Sequence, residues 1–573
     1  MRLSIAATAA LLASVLADTT DTADTADTTA YKPSCRNLPG DSGWPSAAAW
    51  SALNSAVHGR LVATVPIGTP CHDPKYNKAA CATLQANWPL PQTHYTTSSS
   101  VMQPFFANQS CDPFTPEAKP CVLGNYVSYA VNVSSNADVV AALSFATKYN
   151  IRVVVRNTGH DFFGRSTGAG ALAIWTHNLK NTTIQTYSSA NYTGPAMKMG
   201  AGVQGFEMLG AAHSKGYVAV GGECPTVGVA GGYTQGGGHS ALSTSFGLGA
   251  DQTLEFEVVT AAGTVVTASA SKNSDLYWAL SGGGSGYGVV TSMTVKLHPE
   301  ATVGGAQVQV AAASTTPENF NKLVSEFHAM LPAMIDQGAM VIYLLSNQFF
   351  EINPVTVYNS TADYVENTVL APFISLLTEL GIPAAIKYTE LSYYDHYNTY
   401  MGPLPYGNLA VGDFNYGSRL IPRSVLENNN DALQSVLQNL TAHGVLAVGS
   451  SASYARPAGV NNAVFPVWRS TTVHLQIGTP WNETAPWSEM VAAQKVMTNE
   501  FVPQLTSVTP GSGAYMNEGD FQQPNWQQTF FGSNYATLLA IKKKWDPNSL
   551  FYGLRLVGSE AWTVSNNGRM CRA

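Results

Sequence analysis

The sequence predicts a two-domain α+β architecture, and three observations carry that prediction. Residues 126–160 read as strand, helix and buried strand running into a turn of small residues. Glycine-dense segments then recur at 200–205, 221–238 and 282–288. Beyond Pro299 these clusters thin out, and the pattern becomes helix, strand, strand, helix. Glycine at that density lets backbone lie against a flat ligand, because no Cβ intrudes. A strand–strand–helix run without such loops suits a covering domain on an antiparallel sheet.

Taken in order, residues 1–17 look like a signal peptide: Met1-Arg2, an apolar run over 3–16, and a cleavage site at Val15-Leu16-Ala17. A secreted, extracellular protein is expected. Residues 18–30 repeat Asp, Thr and Ala and have little to bury, so a disordered tail is expected over 18–34. Residues 35–125 are rich in Cys, Pro and Trp, with one helix expected over 50–57. The cofactor-binding domain is placed at 126–300, a substrate domain at 301–505, and a C-terminal segment at 506–573. The net charge of -7 lacks a basic stripe, which argues against nucleic-acid binding. The run Lys542-Lys543-Lys544 is expected on the solvent face of a helix end. No stretch is long enough for a membrane span, and a monomer is expected.

Seven Asn-x-Ser/Thr sequons, at Asn108, Asn132, Asn181, Asn191, Asn359, Asn439 and Asn482, make N-glycans expected partners. The seven cysteines leave one unpaired. Cys224 stands alone in a glycine-rich segment and is the odd one out. Spacing does not determine the connectivity of the others; Cys71–Cys81, Cys111–Cys121 and Cys35–Cys571 are the expected pairs. No Cys-x-x-Cys pair occurs, and no metal site is expected.

Within 126–300, residues 126–133 alternate like a strand, and Ser135 with Asp138 forms a capping pattern for a helix ended by Asn150. Residues 151–155 form a β-branched run typical of a buried strand. Further strands are expected at 254–260 and 263–268. Pro317 opens a helix; 339–345 and 349–358 read as strands, and 362–380 as one long helix.

Three segments could carry chemistry. Gly200-Ala201-Gly202-Val203-Gln204-Gly205 fits G-x-G-x-x-G, with Glu223 near the distance of a ribose-binding acid; it is either a nicotinamide-binding turn or a tight turn for helix–strand packing. Arg156-Asn157-Thr158-Gly159-His160 closes a buried strand with a turn whose backbone N–H groups suit a pyrophosphate. Gly222-Glu223-Cys224-Pro225-Thr226-Val227-Gly228, continuing through Gly231, Gly232, Gly237 and His239, suits a flat ligand, or else is a glycine loop with an inert buried thiol.

On these motifs the chain resembles berberine-bridge-enzyme-like FAD oxidases of the vanillyl-alcohol-oxidase superfamily, over nearly all of the mature chain. Arg156 to His160 matches the Arg-x-x-Gly-His loop whose His bonds to the flavin 8α-methyl carbon. Gly222-x-Cys224-Pro225-Thr226-Val227-Gly228 matches the loop whose Cys bonds to flavin C6. Asp275-Leu276-Tyr277-Trp278-Ala279 and Gly288-Val289-Val290 match a later segment, and Phe531-Gly532-Ser533-Asn534-Tyr535 with Trp545-Asp546-Pro547 match the terminal helix. The resemblance implies the vanillyl-alcohol-oxidase-type two-domain fold and FAD held covalently at His160 and Cys224. The expected cofactor-binding set is Arg156, Asn157, Thr158, Gly159, His160, Gly164, Gly222, Cys224, Thr226, Val227, Gly228, Gly231, Gly232, Gly237, His239, Val289 and Asn534. It also implies hydride transfer from the CH–OH group of a small-molecule substrate, a carbohydrate or a secondary metabolite, and reoxidation by O2 to hydrogen peroxide. Val at position 227 goes with oxidase behaviour in the family.

The catalytic base is where this chain departs. Many relatives carry Tyr-x-Asn-Tyr-x-Asp; here the segment is Tyr515-Met516-Asn517-Glu518-Gly519-Asp520. Glu518 is either a candidate base with its pKa raised by desolvation or an exposed or ion-paired residue; Asp520 and Tyr515 are candidates beside it. That departure leaves open a secreted FAD-containing binding glycoprotein without turnover, and more remotely a nicotinamide dehydrogenase. The aromatic cluster Tyr388, Tyr393, Tyr394, His396, Tyr397, Tyr400 and Tyr406 either lines a pocket or packs two domains together.

Overall fold

The computed structural model describes residues 35–573. The expected signal peptide and tail lie outside the described residues. Two sheets shape the cofactor side. In the four-stranded one, Tyr129–Asn132 and Val153–Arg156 flank Leu172–Trp175 in parallel, and Leu61–Ala63 adds an antiparallel edge. Helix Asn136–Lys148 starts where expected: Ser135 and Asp138 form a reciprocal capping box, a feature worth about 1 kcal/mol. Its stripe of Val139, Ala142, Leu143 and Ala146 is buried against the sheet. Asn150, at φ +50°, turns the chain into the buried strand.

The second sheet is antiparallel, in the order Thr182–Ser188, Thr193–Gly200, Val289–Lys296, Thr253–Val259, Val265–Ser269. It decides the role of residues 200–205. The strand before the motif has antiparallel neighbours on both sides, and Tyr217–Val218 pairs only with His298–Pro299. A dinucleotide fingerprint needs a parallel strand–helix–strand unit, so the nicotinamide reading is corrected. The glycines serve packing instead. A Cβ on Gly200 would lie 2.2 Å from the Leu179 carbonyl oxygen, and one on Gly202 2.2 Å from that of His177.

The covering side is a seven-stranded antiparallel sheet, ordered Ala385–Ser392, Thr302–Ala311, Phe349–Tyr358, Ala339–Leu345, Leu446–Ser451, Thr471–Pro480, Phe414–Pro422. One face is apolar: Val341, Tyr343, Phe350, Ile352, Val473 and Leu475 meet the helices Pro317–Asp336, Ala371–Glu379 and Asn430–Ala442 in the largest core. The other face looks back toward the cofactor side.

Several local expectations differ. Residues 362–380 form a broken helix, with a π-turn at Val365–Val369 before Ala371–Glu379, where Pro372 permits only a fresh helix start. The N-terminal segment holds four short helices rather than one: Ala47–Ala56, Lys78–Asn87, Pro91–Tyr95 and Pro104–Ala107, the last two opened by proline. Lys542 is buried, donating to the Gly286 and Phe551 carbonyls and to Asp546; the terminal helix Tyr535–Trp545 is thereby clamped to the glycine segment. The three expected disulfides are present, and Cys224 is free. No helix among the described residues is long and apolar enough to cross a membrane.

Candidate active site

The two sides enclose a cavity of ≈ 700 Å³. Its floor follows from strand alternation. Because successive side chains point to opposite faces, the strands that send Val473, Leu475 and Ile477 into the core send His474, Gln476 and Gly478 into the cavity. Neighbouring strands add Ile342 and Ser450 beside His474, and Leu344 and Val448 beside Gln476.

Opposite the floor lie the glycine loops. Asn157, Thr158, Gly159 and His160 line the cavity, as do Gly222, Cys224, Val227, Gly228, Gly231 and Gly232. Two positions show why glycine is needed. Gly159 takes φ +84°, and a Cβ there would lie 2.4 Å from Arg156 Nη1. At Gly228 a Cβ would lie 1.9 Å from Asn157 Nδ2. Arg156 itself is buried under its loop. Its Nη2 donates to the carbonyls of His94, Thr97 and Thr158, each at 3.4 Å, so it supports the turn from below.

Thr226, fully buried, joins the two loops. Its Oγ1 lies 2.8 Å from His160 Nε2 and 3.3 Å from Cys224 Sγ. Burial, with the nearby His94 and Arg156 charges, pushes His160 down to about 3, so the ring is neutral. Burial pushes the Cys224 thiol up, and its contacts with Thr226 only partly offset this. The Cys224 loop is also held from the covering side: Tyr397 Oη lies 2.8 Å from both the Gly222 and Glu223 carbonyl oxygens.

An ionic cluster closes the third side. Glu518 lines the cavity and is its most exposed member, at 28%. Its carboxylate lies 3.1 Å from His239 Nε2 and 2.8 Å from His474 Nε2, and His239 Nδ1 lies 3.2 Å from Glu223. The expected upward shift of Glu518 is corrected. Burial does oppose its charge, but His239 and His474 outweigh burial and hold it well below the usual carboxylate range. His239 is the mirror case: burial opposes its charge, and Glu518 and Glu223 raise it well above 6.5. For His474 burial wins, and its pKa is lowered. Near neutral pH the cluster therefore holds ionised Glu518, protonated His239 and neutral His474. The ligand atoms of these three residues lie within 4.8 Å of one another, a spacing a metal ion would also accept; protons alone account for the contacts seen.

Of the other two candidate bases, Tyr515 lines the cavity and Asp520 does not. Tyr515 Oη accepts from Gly238 N and Asn517 Nδ2, and burial followed by Glu518 pushes its pKa far up. Its ring packs edge-on to His239, His474 and Trp468, which positions the two histidines. Asp520 lies outside the cavity, accepting from Gln494 Nε2 and Gln522 N, with burial raising it to about 6. Among the expected cofactor residues, Gly164 packs on Phe106, Gly237 shapes the turn before His239 at φ +126°, and Val289 pairs with Val259 while Val290 faces the cavity. Asn534 donates to the Ala463 and Val464 carbonyls, away from the cavity. The tyrosine cluster is mostly packing; of it, only Tyr400 lines the cavity.

Sequence reasoning missed His474 and Gln476. The signal was present as polar residues on alternate positions of the run Thr472–Gln476, otherwise apolar on the opposite face. It also missed Arg165, which lines the cavity, donates to the Leu554 and Met516 carbonyls and has a buried Nη2 without a partner. That orphaned guanidinium nitrogen, on a residue lining the same cavity as Gly284, Ser285, Gly286 and Gly288, suits an anionic pyrophosphate. A Cβ on Gly231 would meet nothing within 4 Å and would project into the cavity. An imidazole and a thiol complete a donor set suited to a dinucleotide flavin. These residues fit FAD.

Comparison with known proteins agrees. Residues 127–269 match the FAD binding domain family, and residues 514–553 match the family described as Berberine and berberine like. The chain is 51% identical to FAD-linked oxidoreductase ZEB1 of Gibberella zeae over 543 residues, 94% of this chain and 95% of that protein. Its fold superposes on the crystal structure of the VAO-type flavoprotein MtVAO615 from Myceliophthora thermophila C1 with a TM-score of 0.91 at 43% identity, covering 94% of this chain and 100% of that one. A glucooligosaccharide oxidase of Acremonium strictum, which carries 6-S-cysteinyl, 8α-N1-histidyl FAD, shares the fold at 19% identity, with a TM-score of 0.62 over 76% of this chain and 92% of its own. With both walls of the cavity and these relatives in agreement, the chain belongs to the berberine-bridge-enzyme-like branch of the vanillyl-alcohol-oxidase family of FAD-linked oxidoreductases.

Proposed function

We propose that this FAD-dependent oxidoreductase is an alcohol oxidase whose FAD is bonded covalently to both His160 and Cys224. The observation that supports it best is that one cavity is lined both by His160 and Cys224, gathered about a single hydroxyl, and by ionised Glu518 backed by a neutral histidine. Bound FAD supplies the two-electron acceptor for the substrate C–H bond and passes the electrons to dioxygen, giving hydrogen peroxide. The protein's own part is proton handling and positioning. Glu518 faces the cavity and accepts the hydrogen bond of the substrate hydroxyl. The proton passes to the Glu518 carboxylate; neutral His474, whose Nε2–H donates to that carboxylate, adds no positive charge to resist its protonation. Protonated His239 offsets the charge of Glu518 and, through Glu223, fixes the ring that carries it.

The lining also bears on the substrate. Ile342, Leu344 and Val448 on the floor, with Leu409, Val411 and Phe414 at the edge, favour a largely apolar hydroxylated molecule over a sugar chain. Six of the seven sequons are exposed, the exception being Asn132, which suits a glycosylated, exported protein.

The test is direct. The purified protein is denatured and digested, and flavin mass is sought on the peptides containing His160 and Cys224. Apolar secondary and aromatic alcohols and oligosaccharides are then screened for peroxide release. Flavin on both peptides with peroxide from the apolar alcohols is the expected result. A protein without linked flavin, or one that oxidises only oligosaccharides, overturns the corresponding half of the proposal.

A further inference from the structure

Three distances single out one hydroxyl. Thr226 Oγ1 is 2.8 Å from His160 Nε2 and 3.3 Å from Cys224 Sγ, and Thr226 is 0% exposed. Among the described residues, these are the only side-chain groups in hydrogen-bonding contact with it. His160 Nδ1 has no hydrogen-bond partner and is left as the ring nitrogen available to the cavity. We propose that the Thr226 hydroxyl is the proton relay for covalent flavin attachment, carrying a proton between the Cys224 thiol and the His160 imidazole as the bonds form. This rests on the two-tether reading above.

The chemistry requires such a relay. The thiolate, not the thiol, is the nucleophile. Forming the Cys224 bond removes the hydrogen of Sγ and one hydrogen of the ring carbon it joins, and makes one C–S bond. The His160 bond likewise removes one imidazole hydrogen and one methyl hydrogen, and makes one C–N bond. In each case the flavin ring would be the oxidant, taking up two electrons that dioxygen then removes together with the two protons as hydrogen peroxide. Each side chain must therefore lose a proton inside a buried pocket. Burial disfavours the thiolate and the imidazolium alike, and the hydroxyl between them is sealed from bulk water.

A hydroxyl has one hydrogen and two lone pairs, so it can stand in either of two arrangements. In the first, the thiol donates to Oγ1 and Oγ1–H donates to His160 Nε2. In the second, Nε2–H donates to Oγ1 and Oγ1–H donates to the thiolate. Passage from one to the other moves a proton from sulfur to nitrogen along contacts that already exist. The backbone of the loop is fixed separately, by Gln204 Nε2 on the Thr226 carbonyl and Tyr397 on Gly222 and Glu223. Removing the hydroxyl therefore tests the relay without unseating the loop.

The experiment compares wild type, Thr226→Val and Thr226→Ser by peptide mass and by acid-releasable FAD. Wild type and Thr226→Ser are expected to carry flavin on both peptides. Thr226→Val is expected to hold FAD that acid releases, with Cys224-linked flavin reduced at least tenfold. Thr226→Ala repeats the test should Thr226→Val fail to accumulate. Full double linkage in the hydroxyl-less variants, or loss of linkage in Thr226→Ser, overturns the relay. Absence of linked flavin in the wild type overturns the two-tether reading instead.

Discussion

The glycine wall and the sheet wall of the cavity hold their reactive groups in different ways. On the glycine wall, His160 and Cys224 are placed by backbone. Positive φ at Gly159, contact at Gly228 and the carbonyls of residues 176–179 against Gly200 and Gly202 leave no room for a Cβ. On the sheet wall, His474 is placed by register: it lies beside Ser450 and Leu420 because three strands pair as they do, and a slip by one residue would put it in the core. At these glycines the first wall tolerates no added atom, whereas the second tolerates many side chains but no shift in pairing. A site built from both can keep its cofactor cradle constant while its substrate floor varies.

That contrast can be broken in stages. The largest effect is expected from Gly202→Ala, whose Cβ meets backbone oxygens of His177 and Thr176 at 2.2 and 2.5 Å. Neither can swing aside, so no soluble flavoprotein should accumulate on expression; normal yield would show that the wall yields after all. Next is Glu518→Gln on the seam. Loss of a positioned base lowers turnover by about 10²–10⁴-fold, while flavin content and its peptide linkages stay at wild-type level. Steady-state peroxide release beside a denatured-protein flavin assay separates the two. Unchanged turnover would remove Glu518 from the mechanism.

A third test addresses how the walls are joined. Arg469 meets buried Asp251 through two 2.8 Å contacts, and Asn462 also bonds Asp251. Arg469→Met leaves that carboxylate uncompensated and should cost roughly 3–5 kcal/mol, read as a lower midpoint in denaturant. An effect below about 1 kcal/mol would mean that the seam is held by packing alone.

The pH dependence sharpens the comparison further. His474 must be neutral for Glu518 to take up the substrate proton, because an imidazolium there would hold the carboxylate ionised, and its pKa is lowered from 6.5 by burial, against the opposing pull of Glu518. Activity is therefore lost as pH falls through a value below 6.5, so the acid limb of kcat/KM should lie under that pH. A limb above it would assign the base elsewhere. The smallest effect is expected at Gly210, a glycine in the helix Gly205–His213 with nothing within 4 Å of an added Cβ. Gly210→Ala should stabilise the protein by about 0.5–1 kcal/mol in the same denaturant titration.

Much of the glycine wall was legible in the residues themselves. A buried strand ending in Arg156-Asn157-Thr158-Gly159-His160, a lone cysteine among glycines and a capping box at Ser135 are local signals, and local conformation realises them directly. Residues 200–205 show the limit of such signals. The spacing fits a dinucleotide fingerprint, yet whether the strand before it runs parallel or antiparallel to its neighbours is set by partners almost a hundred residues away.

The sequence by itself determined the family, the two-domain fold, the loops that carry His160 and Cys224, and the odd cysteine among seven. Tertiary structure alone decided which ionisable groups act together. His239, His474 and Glu518 come from three separated segments, and the charge of each depends on the others. Glu518 illustrates the reason. Burial by itself would have made it a weak acid, but two histidines brought from distant strands and loops outweigh the lost solvation. Coulomb interaction depends on distance in space, and no spacing along the chain records that distance.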